Sequence, residues 1–283
     1  MIVLFKPAQT FLEEHAADPD KRRYAVPEEG PRHYIDIDHY GAYPFPLLPH
    51  EWEKAVATYT EDSLKAHGIV PWHVQVMLAR LTRSFRDLNY AEIMKNSAEL
   101  GHYIADAHVP LHASSNHNGQ LTQQQGIHGF WESRIPELLA ASDFDFVVGK
   151  AVYLDDPGSF IWDRVLESAH ATDSVLSFEK ALNDSFPAAS KYAFEERNGK
   201  TVKQYSSAYT LAYNQKLQGM VERRMRQSIF AVASFWYTAW VDAGQPDLRK
   251  LKEKNFSADE MSTFDWLNQL WQKGTGMLGR GEE

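Results

Sequence analysis

The chain contains no cysteine. That excludes disulfides and thiolate metal sites and leaves the redox compartment open. Any transition-metal site has only His, Asp and Glu to draw on. No apolar run approaches the roughly 18 residues that a membrane helix needs. The opening "MIVLF" is closely followed by Lys6, Glu13 and Glu14, and does not read as a signal peptide. A P-loop, a Gly-rich dinucleotide turn and a G-x-S-x-G nucleophile elbow are also missing. So is any excess of basic charge: the net charge of −9 weighs against a stable complex with a nucleic-acid backbone. Inside a metal site, bound divalent cations would reverse that sign locally.

What is present is a globular composition. The 283 residues are 43% hydrophobic, enough to bury a sizeable core. Strand-like alternation is scarce, and the periodicity predicts an all-α fold. We read one multi-helix domain over 1–248 and a tail, 249–283, carrying a peripheral helix. Helices are expected over 3–16, 51–66, 71–87, 90–109, 128–141, 159–185, 201–243 and 259–272. Pro71 suits a first helical turn, Pro110 should end the helix before it, and Gly219 interrupts the 201–243 pattern. The stretches 18–50 and 113–126 read as irregular; loops of such length are usually functional or mobile.

Four of the twelve histidines fall between Leu100 and Gln120, in "LGHYIADAHVPLHASSNHNGQ". His102 and Asp106 are four apart, so on a helix they lie about 40° apart on one face. Ile93, Leu100 and Ile104 form an apolar stripe opposite. Alone, such a pair is more often a solvated ion pair than a site. A second pair, His128 and Glu132 in "GIHGFWES", repeats the spacing beside the apolar Trp131, Ile135 and Leu138. A carboxylate at the edge of a buried face needs a partner. Zinc accepts imidazole nitrogen and carboxylate oxygen when thiolate is unavailable. With His112 just beyond Pro110, the two pairs could hold more than one ion. In "HGFWE" the carboxylate is four places on, so HExxH is not formed, and the Glu-x-x-His signature of di-iron bundles is not seen near these residues.

"HYIADAHVPLH" followed by "HGFWE" resembles the core of the zinc-dependent phospholipase C and single-strand-specific nuclease superfamily, and looks closest to a bacterial branch. That pattern is His-x3-Asp-x5-His, a loop, then His-x3-Glu or His-x3-Asp. His102, Asp106, His112, His128 and Glu132 match every spacing. "PRHYIDIDHYG" is similar to the family's upstream aspartate segment, and "GIVPWHVQ" to the start of its next helix. The likeness runs from about Asp18 to Leu248.

The resemblance implies that Asp36, His73, His102 and Asp106 hold one zinc, and that His112, His128 and Glu132 hold a second. Asp106 would bridge to a third. His50 is the rival to His73, and Asp38 the rival to Asp36. It also implies a phosphodiesterase in which a zinc-bound hydroxide attacks phosphorus, with Asp36 accepting the proton. The substrate would be a phospholipid, a single-stranded nucleic acid or a nucleotide. Family members are exported and begin with a tryptophan whose amino group and carbonyl bind the third zinc, aided by a nearby histidine. Here the first tryptophan is Trp52, and His15 reads as an exposed helix end. We therefore expect Met1 to be an internal methionine, with two zincs in the chain as written and a third where the true N-terminus supplies the Trp and His.

The other histidines read more plainly. His108 is expected to be structural, near the apolar side of the last helical turn. His117 is expected to be a bystander. His33 or His39 would orient a ligand from behind. "WYTAW" at Trp236–Trp240 reads as core, and "ERRMR" at Glu222–Arg226 as a solvated helix face. The competing readings are a non-catalytic zinc-binding protein and a helical protein whose histidines never meet.

Overall fold

The computed structural model describes residues 2–197, 199–251 and 254–272. The protein is mostly helical, in line with the periodicity. The expected helix over 3–16 is divided at Lys6–Ala8 into α1 (Ile2–Phe5) and α2 (Gln9–His15), because Pro7 supplies no N–H. A short α3 (Asp18–Arg22) lies in the stretch expected to be irregular. The 51–66 helix is likewise divided, into α4 (Trp52–Tyr59) and α5 (Glu61–Ala66). Thr60 breaks it with φ of 67°, and its side chain then accepts the Ser63 N–H as the cap of α5.

The centre of the fold is the pair α6 (Val70–Arg86) and α7 (Tyr90–Ala107). Asn89 caps α7 by accepting the Glu92 N–H at 3.2 Å. Pro110 prevents α7 from continuing, and the chain turns through a 3-10 segment over Pro110–Ala113. After the 114–126 loop, α8 (Ile127–Gly129) runs through a π turn over Phe130–Arg134 into α9 (Ile135–Leu139). The long α10 (Pro157–Ser185) follows, capped by Asp156.

Residues 201–205, expected to open a long helix, instead form a strand. β1 (Tyr192–Arg197) pairs antiparallel with β2 (Lys200–Tyr205) in the register Tyr192 to Tyr205. The Asn198-Gly199 dipeptide between them is a hairpin signal that the helical reading passed over. The helical part resumes as α11 (Ser207–Lys216) and α12 (Met220–Asp242), with Gly219 at φ of 74° at the break. The tail forms α13 (Ala258–Gln272). Its buried Phe264 packs edge-on against Phe11, at 5.0 Å. Residues 273–283 of the expected tail lie outside the described residues.

Two apolar clusters result. One gathers Phe85, Ile93, Leu100, Ile104 and Phe235 from α6, α7 and α12. The other gathers Phe130, Trp131, Val175, Tyr209 and Tyr213. Within "WYTAW", Trp236 stacks on Phe5 at 4.6 Å, as a core residue should. Two surface expectations fail. His15 is buried, with Nδ1 at 2.7 Å from Asp18. Arg224 of "ERRMR" is buried as well, and donates to the His108 carbonyl, the Arg164 carbonyl and Glu167. A guanidinium can face inward when carbonyls and a carboxylate receive its donors. Among the described residues, no helix is long and apolar enough to cross a membrane.

Candidate metal centre

His102 and Asp106 share one face of α7, one turn before Pro110 ends the helix. Their partners come from the stretch after α2. The Nδ1 of His33 stands 3.1 Å from Nε2 of His102 and 3.0 Å from Oδ2 of Asp106. The Oδ1 of Asp20, on α3, lies 3.5 Å from His102 and 3.6 Å from His33. The Asp106 to His102 distance is 3.4 Å. Bonds of roughly 2.0–2.1 Å in a tetrahedron place neighbouring donors about 3.3 Å apart. These separations therefore suit four donors around one small ion. Asp20, His33 and His102 also satisfy a common ligand geometry by themselves.

A second group consists of His112, His128 and Glu132. Glu132 Oε2 lies 2.7 Å from His128 Nε2 and 3.5 Å from His112 Nε2. Each ring is oriented from behind. His112 Nδ1–H donates to the His33 carbonyl at 2.6 Å, and His128 Nδ1–H to the His117 carbonyl at 3.1 Å. A carbonyl can only accept, so both Nδ1 atoms carry the hydrogen, and Nε2 is the ring nitrogen that each histidine turns toward Glu132 and could offer to an ion. This is the tautomer that metal-binding histidines adopt when a carbonyl holds the other nitrogen. Glu132 lies within the π turn, an irregularity often found at functional sites. The donor set, nitrogen and carboxylate oxygen without thiolate, fits zinc.

The two groups share a wall. The ring of His33 belongs to the first, while its carbonyl holds His112 of the second. Ile35 N–H donates back to the His112 carbonyl at 2.9 Å. On its other side the same segment is laced to the turn before α6: Asp36 N–H to His67 O, Ile69 N–H to Pro31 O and Val70 N–H to Tyr34 O. Gly68 permits this approach. Its φ is +88°, and a Cβ there would fall 2.1 Å from the Tyr34 carbonyl oxygen. Gly68→Ala should therefore cost at least the roughly 1–3 kcal/mol of a strained residue. We expect a lower melting temperature together with weaker metal binding; an unchanged melting temperature would count against this account of the segment.

Electrostatics concentrate negative charge at the centre. Burial opposes protonation of His102, yet Asp106 and Asp20 together raise its pKa to about 9. Burial also opposes ionisation of Glu132, but His112 and His128 hold its carboxyl well below the usual range. A carboxylate backs His33: Glu29, fully buried, lies with Oε1 3.6 Å from His33 Nε2. Tyr103 donates its hydroxyl to Glu29, and Arg32 donates at 2.6 Å. Burial works against the Glu29 charge, but these neighbours lower its pKa to about 2. Removing such an outer partner typically weakens metal binding 10–100-fold. We expect that loss in Glu29→Gln by competition against a chromogenic zinc chelator, with the far-UV spectrum preserved.

His102, Asp106, His112, His128 and Glu132 are thus brought into the two groups. Asp36 and His73 are not. The Asp36 carboxylate lies 3.8 Å from His67, whose ring stacks on His39 at 3.4 Å. His73 is buried edge-on against Tyr103. The rivals do not replace them: His50 stacks on Trp162, and Asp38 accepts from Ser114 and Ser115. The places are taken by Asp20, which the sequence reading passed over, and His33, which it offered with His39 as an alternative for a place behind a ligand. His108 is structural, as expected, with Nδ1–H donating to the Ile104 carbonyl. Burial pushes its pKa down to about 3, so it is neutral and does not act as a charge at the helix end. His117 contributes its carbonyl, to His128, although its ring joins neither group. No protein-family model, no curated protein and no solved structure matches this chain.

Proposed function

We propose that the chain is a zinc-dependent hydrolase of phosphate esters, a phosphodiesterase acting on phospholipid, single-stranded nucleic acid or nucleotides. The observation that carries this reading is His33, whose ring enters one donor group while its carbonyl orients His112 of the other. Ions held by donor groups joined through one residue would supply the two Lewis acids used to clamp the attacking and leaving oxygens of a phosphoryl transfer. The pattern from His102 to Glu132, similar to the zinc-dependent phospholipase C and nuclease superfamily, supports the same reading.

The ions would supply Lewis acidity toward a phosphoryl oxygen and toward water. The protein's part is to place and charge the site. Glu132 and the paired carboxylates Asp20 and Asp106 offset the ions' charge. The carbonyls of His33 and His117 keep His112 and His128 in the ligating tautomer. Asp20 is the outermost carboxylate of the first group; burial opposes its charge, but His102 and His33 hold its carboxyl well below the usual range, so it serves as a fixed negative charge. Its side chain is 52% exposed at the rim of the first group, where an incoming water can reach it.

The test is metal analysis of the purified protein, followed by assays with a chromogenic phosphodiester, phosphatidylcholine, single-stranded RNA and 3′-nucleotides. We expect about two zincs per chain and chelator-sensitive hydrolysis of at least one substrate. Glu132→Ala should lose the zinc of the second group and most of the hydrolysis. Bound zinc with no hydrolysis of any substrate would overturn the enzymatic reading, and absence of bound metal would overturn the metal centre itself.

A further inference from the structure

A cleft of about 770 Å³ opens where the starts of α4, α6 and α10 meet. No residue of either metal group lines it. Its wall holds three of the eight tryptophans, Trp52, Trp72 and Trp162, together with His50 and His73. The indoles of Trp52 and Trp72 meet edge-on at 5.4 Å, and those of Trp72 and Trp162 at 5.0 Å. His50 lies parallel on Trp162 at 4.0 Å. Trp72 is itself locked by donating Nε1–H to the His50 carbonyl at 2.7 Å.

The rim is acidic. Glu51, Glu53 and Asp156 line the cleft, and among the described residues no lysine or arginine does. Glu51 is paired with Lys54, and Asp156 caps α10, so Glu53 is the carboxylate available to a ligand. Both imidazoles stay neutral. Burial pushes His73 down to about 3 and lowers His50 too, so neither repels a cation near neutral pH. His73 is also 94% shielded (its exposure is 6%), and its buried Nε2 has no hydrogen-bond partner.

We propose that this cleft binds a small organic cation, an alkylammonium head held against the part-exposed indole of Trp52 beside Glu53, with the buried Trp72 edge-on behind it. Indole is the strongest aromatic attractor of cations, and an alkylated ammonium sheds little hydration in reaching it. A strongly hydrated inorganic cation gains less from such a wall. The carboxylate rim raises the local concentration of cations before contact. The site is separate from the metal groups and does not depend on their occupancy.

Tryptophan emission reads the binding directly. Tetramethylammonium chloride is titrated into the full-length protein, with sodium chloride at equal ionic strength and tert-butanol as the neutral isostere. The expected result is a saturable change with tetramethylammonium alone, half-complete near about 1 mM, an affinity of roughly −4 kcal/mol. The change should persist after chelation of metals, which keeps this test independent of the hydrolase reading. Trp52→Leu should weaken binding about tenfold. Glu53→Gln, an exposed change that leaves the far-UV spectrum intact, should weaken it about threefold. A response to tert-butanol equal to that of the cation would overturn the proposal. So would no saturable response, or unaltered affinity in folded Glu53→Gln.

Discussion

On the proposed function, His33→Ala should lose one metal equivalent and nearly all phosphodiester hydrolysis, while His73→Gln should keep its metal. This is the largest difference we expect between two histidine variants. His33 contributes a nitrogen 3.1 Å from that of His102 and a carbonyl that orients His112. The alanine variant keeps the carbonyl, so the second group should persist and the metal count should fall by about one, not two. Loss of activity should exceed the roughly 100-fold typical of an outer partner, because a direct ligand is gone. His73 instead lies edge-on to Tyr103 and faces no donor group. The same logic separates the aspartates: Asp20→Asn should lose metal and activity, and Asp36→Asn should retain its metal. Metal loss in Asp36→Asn with full loading in Asp20→Asn would reverse the assignment.

Removing the metals with a chelator should lower the melting temperature, and by more at pH 9 than at pH 6.5. Binding to the folded state alone, at a free ion concentration 100 times the dissociation constant, stabilises by about 2.7 kcal/mol per site. The pH term follows from His102. In the metal-free protein its pKa is raised to about 9, against 6.5 ordinarily. The stability this protonation gives is present below 6.5 and is lost as the pH rises through 9. Asp20 and Asp106, 3.5 and 3.4 Å from His102, then lose the charge of that imidazolium. The loaded protein behaves oppositely, because an ion must displace that proton, and its grip tightens as the proton leaves. The melting curves of loaded and chelated protein should therefore diverge between pH 6.5 and 9. In acid the two curves should approach each other, because protons compete with the ion for its nitrogen donors. Parallel curves across the whole range would count against ligation by His102.

The donor pairs that the sequence put together lie on the regular helix α7 (His102/Asp106) and across α8 and its π turn (His128/Glu132). His102/Asp106 and His128/Glu132 are spaced by one turn, so a helical period places each pair on one face whatever the tertiary packing. His112 was legible because Pro110 had to end α7 just before it. Asp20 and His33 were not, since the 18–50 stretch has no period from which a face could be inferred. The segment carrying His33 is positioned by backbone pairing with residues 67–70 and with His112, and α3, which carries Asp20, by packing against α7 and α13, and no local pattern encodes either. The fold shows the same division. The long helices α6, α7 and α10 follow the apolar stripes closely. Departures came where one residue overrode the stripe: Pro7, Thr60 with its positive φ, and Gly199, also at positive φ, just before β2. Arg224 misled because a charged side chain was read as solvated when buried carbonyls were waiting for it.

The lacing of residues 31–36 between His112 and the turn before α6 bears on the order of assembly. Its partners sit far along the chain, so the segment can be seated only after α6 and α7 have paired and the chain has turned at Pro110. Contacts of such long sequence separation tend to form late, after loop closure has been met by the larger apolar clusters. A complete ligand set is then a product of the last stage of folding, not its template. Metal should slow unfolding strongly and leave the refolding rate almost unchanged. Ion capture would act as a latch on a structure already built.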